Sequence, residues 1–332
     1  MKSKYGSLLF LMPETENRKE ISFRVAGDGF LQAKYGKTKS STGMTVKDII
    51  LNAVRVIIVN RKVKEAGVKG LIETVPGNES ILYVFDTLEI DSKKLVDDIV
   101  QIESEIKSIE DEEIETRIVR LPLVFDDSLT CKAIEKYCKE IKPGAINCEN
   151  NSNLKYIAKY NGITVEELKQ KFTKTEWLVS MVGFFPGLPF YFPLDPTCAI
   201  TAPKYNPART WTAEGAVDLA DYCSTIFGVE SSGGYQLVGR TAPIFQGEQR
   251  HPQFKESPVL FKPTDIIKYY EATEEELLEI HKLVHDGCKW EYDFKKRIFS
   301  LKEWLKFYDS QKEEIEDLTK RQEKGRKITP LP

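Results

Sequence analysis

The chain has 332 residues, 41% hydrophobic and 30% charged, a balance that supplies a core and excludes the apolar depletion of a disordered segment. Its 48 basic and 51 acidic residues leave a formal net charge of −3, so no overall field draws it to nucleic acid or an anionic membrane. The length exceeds one average domain, and two domains, or one with an appendage, are expected.

At the N-terminus, Lys2 and Lys4 precede an apolar run over 8–12 that Pro13-Glu14 stops before signal-peptide length, so it reads as a first strand. Residues 21–25 and 30–35 follow as strands and 46–65 as an amphipathic helix. Strands over 70–75 and 80–85 flank a Pro76-Gly77-Asn78 turn, and 95–109 puts Leu95, Ile99, Ile102 and Ile106 on one helical face. Together these make a small α+β module. The acidic run Glu110-Asp111-Glu112-Glu113 marks its expected end, with a solvated helix end as the alternative. Beyond it, 117–124 reads as a strand, and 128–139 and 165–172 as helices. Residues 177–269 are turn-rich with short β runs, as in a barrel-like domain. Gly183, Pro186, Gly187, Pro189 and Pro193 break the apolar stretch 177–194 as a membrane helix. Thr273 and Glu276 form a capping-box signature opening a helix over 274–285, and a second charged helix spans 300–324. The expected divisions are an N-terminal module 1–112, a barrel domain 113–270 and a helical extension 271–332.

Six cysteines (Cys131, Cys138, Cys148, Cys198, Cys223, Cys288) form no CxxC pair, which fits reduced thiols in the cytoplasm. Cys131 and Cys138, seven apart, share a helical face. With three histidines (His251, His281, His285) and no GxSxG, a hydrolase triad finds little material. His281 and His285 lie four apart with Cys288 behind, a spacing for metal ligands, but no second element supplies a partner motif. An ordinary surface helix and no metal are expected.

Residues 203–241 combine turn chemistry, Asn206-Pro207 and Ser231-Ser232-Gly233-Gly234, with the long polar residues Arg209, Glu214, Gln236 and Arg240, in the manner of a ligand-holding surface. Gly228, Gly233, Gly234 and Gly239 allow close backbone approach to an anion. Without GxxxxGK[ST] or a strand-linked GxGxxG, though, they read as a tight turn. Arg209 and Arg240 are suited to clamp a carboxylate in bidentate fashion, the alternative being a structural ion pair with Glu214 or Asp195. Glu214 and Tyr235 are candidate proton-transfer groups, against the alternative of a solvated or capping glutamate.

Four segments carry a resemblance: RIVRLPLVFDDS from Arg117, GFFPG from Gly183, KYNPARTWTAEG from Lys204 and GGYQLVGRT from Gly233. With them the chain resembles the allophanate hydrolase subunit 1 family, and within it the carboxyltransferase domain of urea carboxylase and urea amidolyase. Phe23–Asp28, Ile72–Gly77, Glu274–Leu278 and the helix around Trp304 extend the likeness over most of the chain. It implies a cyclophilin-like β barrel after a small α/β module, and a site completed by a sister subunit like allophanate hydrolase subunit 2. The implied reaction moves CO2 from N1′-carboxybiotin to a urea-type nitrogen. It requires a proton-transfer group, for which Glu214 and Tyr235 are the catalytic candidates, while Arg240, the third catalytic candidate, would hold the carboxylate. It also requires cationic or N–H donors, with Lys204, Asn206, Arg209, Thr212, Gly233, Gly234, Gln236 and Thr241 as binding candidates. Neither a Met-Lys-Met biotin acceptor nor an ATP-binding glycine segment is found. A biotin carrier and a biotin carboxylase are therefore implied partners, and biotin is an implied cofactor carried elsewhere. Two departures stand out: Asp218-Leu219-Ala220-Asp221 replaces a Gly-Ile-Gly-Gly-like stretch, and Ser232 replaces a usual proline. The alternative function is a 5-oxoprolinase-type subunit or a kinase-inhibiting regulatory subunit.

Overall fold

The computed structural model describes residues 6–36 and 44–332, so Lys2 and Lys4 lie outside the described residues. The chain divides into one unit through Ile114 with Phe299–Glu303, and a second of Glu115–Ile298 with Trp304–Pro332.

In the first unit, β1 (Leu8–Met12), β2 (Ile21–Val25) and β3 (Phe30–Tyr35) precede α1 (Val46–Ala66). Then come β4 (Leu71–Pro76), β5 (Ser80–Phe85) and α2 (Ser92–Glu105). The strands pair in the order β1-β2-β3-β5-β4, antiparallel throughout. Period-two alternation sends Leu31, Ala33 and Tyr35 of β3 and Ile81, Tyr83 and Phe85 of β5 to the buried face. Thr45 and Asp48 close a capping box on α1, and Gly67 ends it at φ 58°, the left-handed region that favours glycine. Within this core Glu103 is fully buried. It accepts from Arg55 Nη2 and Tyr35 Oη, both at 2.6 Å, which satisfies a charge that would otherwise be costly.

The second part of the chain continues with β6 (Glu113–Phe125), α3 (Ser128–Glu140), α4 (Leu154–Asn161), α5 (Val165–Lys174), β7 (Trp177–Val182) and β8 (Pro189–Pro193). Five short strands follow: β9 (Arg209–Thr212), β10 (Ala216–Ala220), β11 (Cys223–Ile226), β12 (Ser231–Gly233) and β13 (Gln236–Arg240). The last elements are β14 (Ile266–Glu271), α6 (Glu274–His285), β15 (Asp293–Ser300), α7 (Leu301–Ser310) and α8 (Lys312–Ile328). Strands β13-β10-β11-β8-β7-β14-β6 form a sheet that the β13–β6 pairing closes into a seven-stranded barrel. A closed ring of seven strands cannot alternate direction at every pair, and the single parallel pair is β14–β6. Alternate residues enter one core: Leu121 and Leu123, Trp177 and Val179, Val217 and Leu219, Ile267 and Tyr269. On the other face α3 packs through Ala133, Ile134 and Tyr137 against Tyr205, Phe227 and Leu237. At the closing seam Gly239 faces Phe125, where a Cβ would stand 2.9 Å from Phe125 Cα and run into the Val124 carbonyl.

The α+β class, the barrel and the C-terminal helices agree with expectation. The chain also contains α4 and β15, which the sequence patterns do not announce, and the expected helix over 300–324 is two, α7 and α8, divided at Gln311. β15 carries Lys295, Lys296 and Arg297 in succession and buries only Phe299, so it lacks the alternation of a half-buried strand. All six cysteines are free thiols.

Candidate functional site

The candidate residues fall into two clusters, one at each end of β13. The first centres on Arg240, 4% exposed at the C-terminal end of that strand. Its Nε lies 3.1 Å from Asp127 Oδ1. Asp127 is the N-cap of α3 and also accepts from the Leu129 and Thr130 amides at 3.1 and 3.3 Å. Burial pushes the Asp127 carboxyl up, while Thr130 and the Arg240 charge pull it back. Arg240 Nη2 is buried and has no hydrogen-bond partner among the described residues. The structural ion pair that is the alternative to a carboxylate clamp is made by Arg240 with Asp127 rather than with Glu214 or Asp195, while Asp195 pairs with Lys174 at 3.3 Å.

Beside Arg240, the β9–β10 turn presents Glu214, followed by Gly215 at φ 78°. A Cβ on Gly215 would approach Thr241 O to 2.5 Å, Arg240 Cγ to 3.2 Å and His281 Cε1 to 3.3 Å, so the turn, the end of β13 and α6 meet there. Glu214 Oε2 is 2.9 Å from His285 Nε2, which raises the His285 pKa. His281 is buried, and its Nε2–H donates to the Thr241 carbonyl at 2.9 Å. Burial, reinforced by the Arg240 charge, pushes His281 down to about 4 and keeps it neutral. α6 is a surface helix as expected, with Glu275, Glu279 and Lys282 exposed, but its inner face joins a cluster that the sequence does not announce. α6 buries His281 and turns both histidines toward Glu214, with ring centroids 6.0 Å apart. Nothing in the local sequence announces Glu214 as their neighbour, 71 positions from His285.

The second cluster surrounds Arg209, 1% exposed. Its guanidinium donates to the Tyr235 carbonyl and to Thr212 Oγ1 (3.4 and 3.3 Å) and lies 4.6 Å from the Tyr205 ring centroid. Arg209 and Thr212 therefore hold the turn together. Gly233 pairs with Arg209 across β12–β9, where a Cβ would meet Phe227 Cζ at 2.7 Å, and the Gly234 carbonyl accepts from the Tyr205 amide at 2.6 Å. Gln236 is buried with both ends engaged, donating to Pro203 O at 2.7 Å and accepting from Asn147 Nδ2 at 2.9 Å. Thr241 Oγ1 donates to the Pro122 carbonyl. Lys204 stands 5.1 Å over the Tyr235 ring, and Asn206 is exposed with its carbonyl accepting from Lys142. Burial drives the Tyr235 phenol far above its ordinary pKa, which suits it poorly to exchange protons near neutral pH.

Asp218 also lies on the Arg209 side. Because Val217 and Leu219 point into the core, Asp218 turns the opposite way and is buried opposite Thr225, whose Oγ1 donates to it at 2.6 Å. Burial raises its pKa to about 7, against Thr225, Arg209 and Lys204. A raised carboxyl favours the native state fully below its unfolded value near 4 and loses that contribution as pH climbs through about 7. Urea unfolding should therefore show wild type losing stability relative to Asp218→Asn by about 1.4 kcal/mol per pH unit across that window. Parallel profiles for the two proteins would contradict the assignment.

Near the barrel strands β7 and β8, the Gly183–Gly187 turn holds Phe184 at φ 72° and 82% exposed, its ring 4.6 Å from that of Phe185. A large apolar side chain in the left-handed region is strained.

Residues 22–255 match the family described as carboxyltransferase domain, subdomain C and D. The chain belongs to this family. It is 30% identical to a urea amidolyase of Lachancea kluyveri over 95% of this chain and 17% of that protein. It is also 30% identical to a putative urea carboxylase of Emericella nidulans over 97% of this chain and 26% of that one. The Kluyveromyces lactis urea carboxylase structure aligns over 99% of this chain and 29% of its own, with a TM-score of 0.84 and 27% identity. The chain thus spans about a sixth to a quarter of the curated relatives named here. A shorter relative, a 5-oxoprolinase subunit of Bacillus subtilis, is 26% identical over 64% of this chain and 81% of its own length. The family stretch includes Glu214 and Arg240 and ends before α6, which brings His281 and His285 to them. Among the described residues no helix is long and apolar enough to cross a membrane.

Proposed function

We propose that this chain forms part of a carboxyltransferase site that moves CO2 from N1′-carboxybiotin, held on a biotin carrier, to a nitrogen of urea or a related amide or amidine. The observation that carries this reading is Arg240: a buried guanidinium whose Nη2 is unpartnered among the described residues, beside the Glu214 carboxylate in the stretch shared with carboxyltransferase domains. A donor fixed in a low-dielectric setting stabilises a migrating carboxylate without reorganising when charge develops. Asp127 holds the guanidinium from one side, leaving Nη2 to meet that charge. The accepting nitrogen must lose a proton and the biotin N1′ must regain one. Glu214, in contact with His285, is the group assigned to that exchange. Arg209, Thr212 and Gln236 act by shaping the turn. The exposed Phe184 supports a partner-facing role for the GFFPG turn, with a sister subunit completing the site and biotin carboxylase charging the carrier elsewhere.

The test reconstitutes the chain with its sister subunit and a carboxylated biotin carrier, and follows carboxyl transfer to urea and guanidine. Arg240→Lys keeps the charge while losing the planar fork, and should lower kcat/KM by about 10²-fold with the fold retained by circular dichroism. Unchanged transfer would remove Arg240 from the site. A second reading, a 5-oxoprolinase component, is favoured by the Bacillus subtilis relative. Activity with 5-oxoproline and with neither urea nor guanidine would select it.

A further inference from the structure

We propose that Glu214, His281 and His285 bind one divalent cation of the zinc class. One ligand atom from each residue lies within 4.8 Å of the other two. Two elements supply them: His281 and His285, four apart on one face of α6, and Glu214 from the β9–β10 turn. Each donor is held. The turn is anchored by Gly215, whose amide donates to the Phe227 carbonyl at 2.7 Å and whose carbonyl accepts from the Thr241 amide at 2.8 Å. His281 donates Nε2–H to the Thr241 carbonyl, which leaves the lone pair on Nδ1. A backbone carbonyl that fixes the ring in this way is the outer partner that metal-binding histidines usually have.

Two imidazoles and one carboxylate form a three-donor set with room for a further ligand, and imidazole favours zinc, cobalt or nickel over magnesium or calcium. Glu214 Oε2 and His285 Nε2, 2.9 Å apart, need to separate by only a few tenths of an ångström to bind at ~2.0–2.2 Å around a tetrahedral ion. Entry is open, since the His285 and Glu214 side chains are 47% and 23% exposed. A bound ion would clip α6 to the turn, joining a helix outside the family stretch to a residue within it. It would also occupy the Glu214 carboxylate. Because that carboxylate is the group assigned to proton transfer above, a bound ion and that role exclude each other, and the ion is tested without substrate or partner so that the two readings fail separately.

The full chain, stripped with a chelator and dialysed, is titrated with Co2+ by visible absorption and with Zn2+ by calorimetry, and its thermal unfolding is recorded with and without Zn2+. One equivalent should bind, with a nitrogen/oxygen-ligated cobalt spectrum and a raised midpoint. Both His285→Ala and Glu214→Gln lie at the surface end of the site and spare the buried His281. Each should weaken binding about 10- to 100-fold with the fold unchanged by circular dichroism, whereas Cys288→Ser should bind as wild type. No saturable binding, or binding that survives both the His285 and Glu214 substitutions, would overturn the proposal, as would loss of binding in Cys288→Ser.

Discussion

Asp127→Ala should lower the unfolding free energy of this chain by about 3–5 kcal/mol, because it strands the Arg240 guanidinium at 4% exposure without its counter-charge. The same carboxylate caps α3 through the Leu129 and Thr130 amides, and loss of a cap alone costs about 1 kcal/mol. Asp127→Asn separates the two contributions. Its amide oxygen still accepts from the helix amides while the charge is lost, so it should destabilise by nearly as much if the ion pair dominates. The double substitution Asp127→Ala with Arg240→Met removes both charges and should recover part of the loss, since an apolar replacement of a buried pair is far less costly than half a pair. Urea unfolding of the four proteins measures all of this. An effect of Asp127→Ala below about 1 kcal/mol would mean that Arg240 is held by other groups.

Gly239→Ala should be the more disruptive single methyl. A Cβ at this position runs into the Val124 carbonyl and stands 2.8 and 2.9 Å from Val124 C and Phe125 Cα, all backbone atoms that cannot rotate away. Those atoms belong to β6, and Gly239 on β13 sits at the pairing that closes the barrel. Relief requires the seam to open, so the cost should exceed the ~1–3 kcal/mol usual for an overpacked core. Loss of the near-ultraviolet circular dichroism signal and a lowered thermal midpoint are the expected readouts. Gly234→Ala is the control. Its Cβ would meet Ala208 Cβ at 3.7 Å, an ordinary contact, and it should fold as wild type. Equal behaviour of the two variants would argue that β6 and β13 can part without cost.

These two expectations show where sequence patterns stop being informative. Alternation over 30–35 and 80–85 is a local property, and β3 and β5 fall on those residues. The capping box at Thr273 and Glu276 is equally local, with the Glu276 amide donating to Thr273 Oγ1 at 3.2 Å. β15 escaped because a lysine-rich strand that buries only Phe299 and packs Phe294 against the core carries no period of two. Arg209 and Arg240 look alike in sequence, both long cations among turn residues. They differ in their partners: the first is engaged by the Tyr235 carbonyl and the Tyr205 ring, the second stands against the Asp127 carboxylate, with Nε and Nη2 both lacking a hydrogen-bond partner among the described residues.

Composition, alternation, capping signals and the four motif segments were enough to establish the α+β class, the barrel and the carboxyltransferase family, because each is written in neighbouring residues or in a contiguous run. Barrel closure, the Asp127–Arg240 pair, the burial of Asp218 and the meeting of Glu214 with His281 and His285 depended on the folded chain. Each joins residues distant in sequence, and burial and electrostatic coupling are properties of where side chains come to rest in space.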